Sequence, residues 1–407
     1  MNLFFELTGY EFKKILCRKR TVITLTLVVL LGALSVFGTI VGNYYYTDEN
    51  GNEVAISRYD DDMIDRQYGE ELSGRVIDAD LIMEAVEAYR QVPLNENSWY
   101  TNTKEYQNFA RKYSEIYGIV CRIFDLDIEG FQNLTREQAE QFDKVRRENR
   151  EYVIENSVIS ENMRKYWQKC LDESPETLIY EYSGGYDRFV TIMYTTAIMA
   201  GAAIAIILSG IFSEEYTSGA DGLILSSKHG KGLVIGAKLF AAFIVSAVLI
   251  ILLTAMTYAE TMIVWGSNGA DGQLLLMGNM YPYNITIGQS ALLYCVSALA
   301  ACLMFAAITS VLSAIFRTPF STIVIMAILL IAPMFLTLPD EAPVWLFCLE
   351  NLLPTNMMAF WGAMYDYQYE IFGLIIPPYV FLPVFAVLAS CVCVYFACRA
   401  FRKHQIG

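Results

Sequence analysis

Histidine is nearly missing from this chain: His229 and His404 are the only two among 407 residues. A histidine-based metal site or catalytic triad is therefore close to excluded. There is no G-x-x-x-x-G-K-[ST], and the nearest stretch, His229-Gly-Lys-Gly232, lacks both the spacing and the following hydroxyl. The chain has no P-loop with which to bind nucleotide itself. Neither a G-x-S-x-G elbow nor an H-E-x-x-H motif occurs, which removes two common hydrolase signatures. The nine cysteines include no C-x-x-C pair, and in a membrane span a free cysteine behaves as a small apolar residue. Charge is scarce as well, at 18% of residues against 55% hydrophobic. That balance fits an integral membrane protein with a soluble insert better than a globular enzyme.

What charge there is falls in one place. Residues 43–187 hold 31 Asp and Glu against 16 Lys and Arg, a net −15, so the rest of the chain sums to +1. An acidic domain of this kind repels nucleic acid. Apolar residues recur at helical spacing over 78–91, 101–124, 135–155 and 159–172, and Thr135 with Gln138 forms a capping-box pattern at the third stretch. The first 35 residues or so, around Tyr44–Tyr46 and Asp60–Asp62, read as a hairpin or loop. Asp60-Asp61-Asp62 lacks the alternation and the glycine of an EF-hand loop, so it reads as solvated surface. Cys121 and Cys170 are the two cysteines inside the insert. They form one disulfide if it faces an oxidising space, or remain two thiols.

Around the insert lie apolar runs of membrane length. Residues 1–20 alternate Leu3, Phe4, Leu7, Phe12, Ile15 and Leu16 with Glu6, Glu11, Lys13 and Lys14, an amphipathic helix suited to the membrane interface. Arg18, Lys19 and Arg20 precede an uncharged run, 21–42, whose basic flank places the N-terminus inside. A cleaved secretory signal is the alternative for this segment, though the run is long for one and no A-x-A site follows. Further runs cover 189–211, with the small-residue cluster Ala200-Gly201-Ala202-Ala203 as a helix-packing face, then 233–265, 286–316, 320–338 and 373–398. Glu260 is an acid embedded in an apolar run, either a functional group or one that reaches the outer headgroups. Arg399, Arg402 and Lys403 put the C-terminus inside too. The expected fold is thus an all-α membrane protein with an N-terminal interfacial helix, six transmembrane helices and a mainly helical extracellular domain. Its parts are 1–42, 43–187, and 188–407 with a polar inner loop at 212–232.

That loop, with an interfacial N-terminal helix, six spans and a large insert between the first two, resembles the type-2 family of ABC transporter permeases. The residues that carry the likeness are Phe212, Glu214, Glu215, Gly219, Leu223, Ser226 and Lys238, joined by the outer stretch Leu352-Leu-Pro-Thr-Asn356. The family's proline after the serine pair is replaced here by Lys228-His229. By that resemblance the loop is a coupling helix docking on a separate ABC ATP-binding subunit, with Phe212, Glu214, Glu215, Tyr216, Gly219, Leu223 and Lys238 as its interface. Helical spacing gathers Phe212, Tyr216 and Leu223 on one face and Glu214, Glu215 and Asp221 on the other, with Gly219 and Gly222 as breaks.

The resemblance implies a permease subunit that binds no cofactor directly and uses ATP through its partner. It also implies a homo- or heterodimer of permease chains in a bacterial plasma membrane, surrounded by lipid, moving a peptide, lipid-like or drug-like molecule. A membrane-anchored sensor or scaffold whose outer domain binds a ligand is the alternative. On the permease reading, charge reversal at both Glu214 and Glu215 uncouples ATP hydrolysis without unfolding the protein.

Overall fold

The computed structural model describes residues 3–48, 50–94, 100–277, 282–339 and 341–403; His404 lies outside them. Helix α1 (Leu3–Leu16) is followed by a short turn and α2 (Lys19–Ile40). The polar insert opens with a hairpin, β1 (Asn43–Thr47) and β2 (Glu53–Ser57), paired antiparallel with Asn43 opposite Ser57. Helix α3 (Arg58–Leu72) then takes in the acidic triplet that reads as loop from sequence. The reason is local. Ser57 caps the helix by accepting from the Asp60 amide, and Asp60 and Asp61 fall in the first turn, where negative charge suits the helix dipole.

The insert continues through α4 (Ala79–Tyr89), an irregular helical stretch over 100–113, α5 (Ser114–Phe124), α6 (Ile128–Gln132), α7 (Arg136–Ala139), α8 (Phe142–Asn156) and α9 (Glu161–Asp172). The Thr135–Gln138 capping box forms, but the helix it starts lasts four residues before the chain turns into α8. A core of Leu81, Ile82, Val86, Tyr89, Ile116, Val120, Phe131 and Phe142 holds α4, α5 and α8 together. Tyr89 stacks on Tyr117 with ring centroids 4.4 Å apart. Cys121 and Cys170 are both free thiols. They sit in different surroundings: Cys121 lies against the Tyr89 cluster, whereas Cys170 lies on α9, with its backbone carbonyl accepting from Asn284.

Five helices are long and apolar enough to cross a membrane, among the described residues. They are α2, α10 (Gly184–Leu208), α13 (Ile235–Trp265), α14 (Ile287–Ile315) and α19 (Pro378–Lys403). Between α10 and α13 run α11 (Ser213–Ser218) and α12 (Ala220–Ser226); between α14 and α19 come α15 (Pro319–Ile331), α16 (Val344–Glu350), α17 (Pro354–Met357), α18 (Phe360–Ala363) and the hairpin β3 (Tyr369–Ile371) and β4 (Leu374–Ile376). The two small hairpins qualify the all-α expectation. The run expected as a sixth span, 320–338, is the short one. Its apolar helical stretch is Pro319–Phe335, in which a 3₁₀ turn at Ala332–Phe335 carries Pro333. Seventeen residues of α-helix would rise only about 26 Å, short of the ~30 Å hydrocarbon core, and a proline cannot continue the α ladder.

Helix α10 is the centre of the bundle and packs on α2, α13, α14 and α15. Its small face does what was expected of it: Ala197, Ala200 and Ala203 are buried, and Gly201 faces Leu330 of α15 and Met358. In the Leu352–Asn356 stretch the two leucines are half-buried, and Pro354, Thr355 and Asn356 are buried in the same bundle with the rest of α17. The Thr355 hydroxyl donates to the Leu330 carbonyl at 2.9 Å, while Ser297 and Tyr294 of α14 donate to the Met357 and Met358 carbonyls. Irregular backbone is tolerated among apolar helices when protein groups satisfy it in this way.

The insert is fastened to one end of this bundle. Arg66 donates to the Val264 carbonyl at 3.2 Å, Asp62 pairs with Arg188, and Arg188 stands 5.5 Å over the Trp265 ring. On its other flank the indole N–H of Trp167 donates to Gln368 Oε1 at 2.6 Å, and Gln368 in turn donates to the Tyr283 hydroxyl at 3.0 Å. Because both Trp167 and Gln368 are buried, Trp167→Phe should leave an unpaired amide oxygen and cost about 1–3 kcal/mol. Thermal unfolding of the purified chain checks this: the midpoint should fall for Trp167→Phe and stay put for Tyr152→Phe, a change at an exposed ring.

Candidate functional site

At the end of the bundle opposite the insert, the segment between α10 and α13 folds as two short helices. Gly219 separates them with φ of +68°, a left-handed conformation that closes α11. Gly222, expected as a second break, lies inside α12. The turn redirects the chain, so the anticipated two-faced helix does not form. Phe212 and Tyr216 point inward onto Phe401 of α19, with ring centroids at 4.9 and 5.7 Å, and the Tyr216 hydroxyl donates to the Ala314 carbonyl at 2.8 Å. Leu223, expected beside them, is 77% exposed. The Ser313 hydroxyl ties the start of the segment to α14, accepting from the Phe212 and Ser213 amides and donating to the Ser209 carbonyl.

The acids lie elsewhere than expected. Glu215 is 2% exposed, and its Oε1 accepts from Lys238 at 2.6 Å and also from Lys14. Lys238 is 1% exposed and reaches Glu11 at 2.9 Å as well. Glu214 pairs with Arg18 at 2.8 Å and Arg20 at 2.9 Å. Gly210 leaves room for that fork, since a Cβ there would stand 2.1 Å from Glu214 Oε1. Burial pulls the Arg18 guanidinium below its ordinary value, while Glu214 pulls it back up. Asp221 is buried too. Glu214 and Glu215 therefore point into the protein, where cations of α1, the α1–α2 turn, the start of α2 and α13 meet them, so reversing both charges would break these ion pairs and would not spare the fold as expected.

These partners were written in the sequence as charges without assigned roles. Glu11, Lys14, Arg18 and Arg20 read there as the polar side of an interfacial helix and a topology signal. A signal that would have found them was charge balance: two acids close one apolar run just where a basic cluster opens another on the same side. Lys238, read as the opening of a span, stands near the start of α13 and is buried between helices. Burying an ion pair is tolerable only while both members are present.

Two further features belong to the bundle. The Glu260 side chain is half-buried near the end of α13, and its Oε2 has no hydrogen-bond partner among the described residues. A cleft of about 270 Å³ separates the insert from the span ends and is lined by Asp62, Asp65, Glu115, Glu181 and Asp187 against Arg122 and Arg188. Burial raises the Asp62 carboxyl above the ordinary carboxylate range, with Arg188 opposing it.

The ion network carries a stability prediction. Lys238→Met leaves Glu215 and Glu11 short of their shared cation and should cost about 3–5 kcal/mol. Lys14→Met, at a half-exposed lysine, should cost less than about 1 kcal/mol. Thermal melts of the two variants in detergent separate these outcomes.

No curated protein and no solved structure matches the chain. One family does: the family described as ABC-2 family transporter protein matches residues 6–340, which takes in α1, the insert, the loop between α10 and α13, and the bundle as far as the end of α15. The chain belongs to this ABC-2 transporter family, and it is a membrane protein with a largely helical fold.

Proposed function

We propose that the chain is the permease subunit of an ABC transporter, and that the α11–α12 segment is the surface on which a separate ATP-binding subunit docks. The observation that carries this reading is the contrast within one short segment. Its acids and aromatic rings are consumed by contacts inside the chain, while Leu223 on α12 stands out into open space. A buried anchor with one exposed apolar residue suits a lever: the partner grips the tip, and the rigid root passes the movement to α1, α10, α13 and α19. Coupling needs contacts that differ between the ATP-bound and free states. The tip can make such contacts, and the internal ion pairs hold the root in register.

This reading has the segment, both termini and their basic clusters in the cytoplasm. Arg20 meets Glu214, and Arg402 donates to the Lys231 carbonyl at 2.6 Å, so the start of α2 and the end of α19 gather beside the loop, and Lys and Arg favour the inner side. The insert is then extracellular. Two permease chains, identical or different, would work with two ATP-binding subunits, and catalysis would belong to the latter.

Two cavities bear on the substrate. The acid-lined cleft under the insert suits a cationic or peptide cargo. An apolar groove of about 310 Å³, among Phe189, Ile250, Tyr258, Cys295 and Leu299, suits a lipid-like or drug-like one. The sensor alternative draws support from a third cavity. An open groove of about 990 Å³ on the insert, bordered by Tyr68, Glu71, Glu84, Lys112 and Arg136, has the size of a ligand site.

Purification from the native host in mild detergent distinguishes the readings. The permease account predicts a stoichiometric P-loop protein whose ATPase rate changes on binding. It also predicts that Leu223→Asp weakens that association at least tenfold while leaving thermal stability within about 0.5 kcal/mol, as for other surface changes. No such partner for a folded chain, or equal affinity in the variant, counts against it.

A further inference from the structure

The β3–β4 hairpin closes in a turn that its residues do not favour. Ile371 pairs with Leu374, so Phe372 and Gly373 form the whole turn, and both have positive φ, +51° and +82°. Asn-Gly or Asp-Gly ordinarily fills such a turn. A phenylalanine there holds a strained backbone, and strain of this kind is kept where the side chain has work to do. Burial within the chain does not offset it: Phe372 is 106% exposed, with Leu374 beside it at 64%.

The hairpin stands at the lipid boundary. Helix α19 carries no charged residue from Pro378 to Cys398, and those 21 residues rise about 32 Å, the thickness of a hydrocarbon core. Pro378 is thus at the edge of that core. The base of the hairpin lies beside it, because Tyr369, paired with Ile376, stacks on Phe381 of α19 with ring centroids 3.9 Å apart. A strand advances about 3.3 Å per residue, which keeps the tip within about 10 Å of the base. Side chains alternate between the two faces, so Ile371 and Leu374 share the face of Tyr369, the one turned to α19. On α19 itself Val380, Val384 and Val387 stand exposed, and the apolar tip continues that surface.

The opposite face of the hairpin belongs to the insert. The Glu370 carboxylate accepts from Asn162 at 2.7 Å and from Ser160, and Ile375 packs with Met163 and Trp167 of α9. Two residues before Ser160, the α8–α9 turn presents Val158, which is 93% exposed. Two tips far apart in sequence therefore end side by side in exposed apolar residues, an arrangement that marks an interaction surface.

We propose that Phe372, with Ile371, Leu374 and Val158, is a wedge seated in the bilayer, among the headgroups and first acyl carbons of the leaflet on the insert's side. Apolar and aromatic side chains gain contact at that depth that water denies them. The Glu370 carboxylate, on the far face, stays out of the lipid and passes the hold to α9. The insert is then fastened to the membrane as well as to the bundle.

The test uses the full chain in nanodiscs loaded with one chain each. Hydroxyl-radical footprinting of the unaltered chain compares Phe372 with Phe109, a 45% exposed ring of the insert that borders its large open groove. In water Phe372 would react the faster of the two; the wedge predicts that it reacts at least fivefold more slowly. In a second measurement Phe372→Trp is compared with the unaltered chain in discs of brominated phosphatidylcholine, where at least half of the added emission should be quenched. Footprinting needs no substitution and stands apart from the variant's folding. Phe372 reacting as fast as Phe109, or added emission from a folded variant that brominated lipid leaves unchanged, overturns the proposal. Protection seen only in discs that hold two chains assigns the tip to a second copy and overturns it too.

Discussion

The contact on which the inter-span-loop end of this molecule depends is the buried ion pair between Glu215 and Lys238, 2.6 Å apart. A lysine and a glutamate taken out of water are costly, and the cost is offset only because each has further partners. Lys238 also holds Glu11 and Glu215 also holds Lys14, so a pair between the inter-span segment and α13 becomes a bridge to α1. Arg18 and Arg20 repeat the arrangement on Glu214. The terminal helix, the root of the inter-span segment and the start of α13 are thereby one electrostatic unit. On the aromatic side, Phe212 and Tyr216 bind the same segment to α19 through Phe401. A force applied at Leu223 would reach several helices together.

The opposite end is held differently. There the insert is fastened by hydrogen bonds between neutral groups, Trp167 to Gln368 and Asn284 to the Cys170 carbonyl, and by Arg188 between Asp62 and Trp265. Fastening at two flanks, one near α3 and one near α9, leaves an acid-lined cleft between them. The insert thus sits on the bundle as a domain with its own core, and movements of α10 or α13 would change the cleft they border.

Much of this was legible from sequence, for identifiable reasons. The spans announce themselves because about 20 apolar residues have few other fates. The small residues of α10 marked a packing face because backbones can approach closely there, and Gly219 marked a break because few other residues adopt its φ. The Thr135–Gln138 box was readable because capping is local. What escaped was non-local. Glu214 and Glu215 were read as the acidic face of a docking helix, and nothing in their own segment says that Lys14, Arg18, Arg20 and Lys238 lie across from them. Leu223 was placed with Phe212 and Tyr216 by a helical period that Gly219 interrupts. The Asp60–Asp62 triplet was read by its charge, when its position after Ser57 made it the first turn of a helix.

The central claim is that α12 forms the tip by which an ATP-binding subunit moves this chain. The most direct measurement places a photo-crosslinking residue at position 223 in the native host and identifies what it captures. The account predicts an adduct with a P-loop ATPase whose yield changes when ATP is trapped. Capture of lipid alone, or of no protein at all by a folded chain, would contradict it.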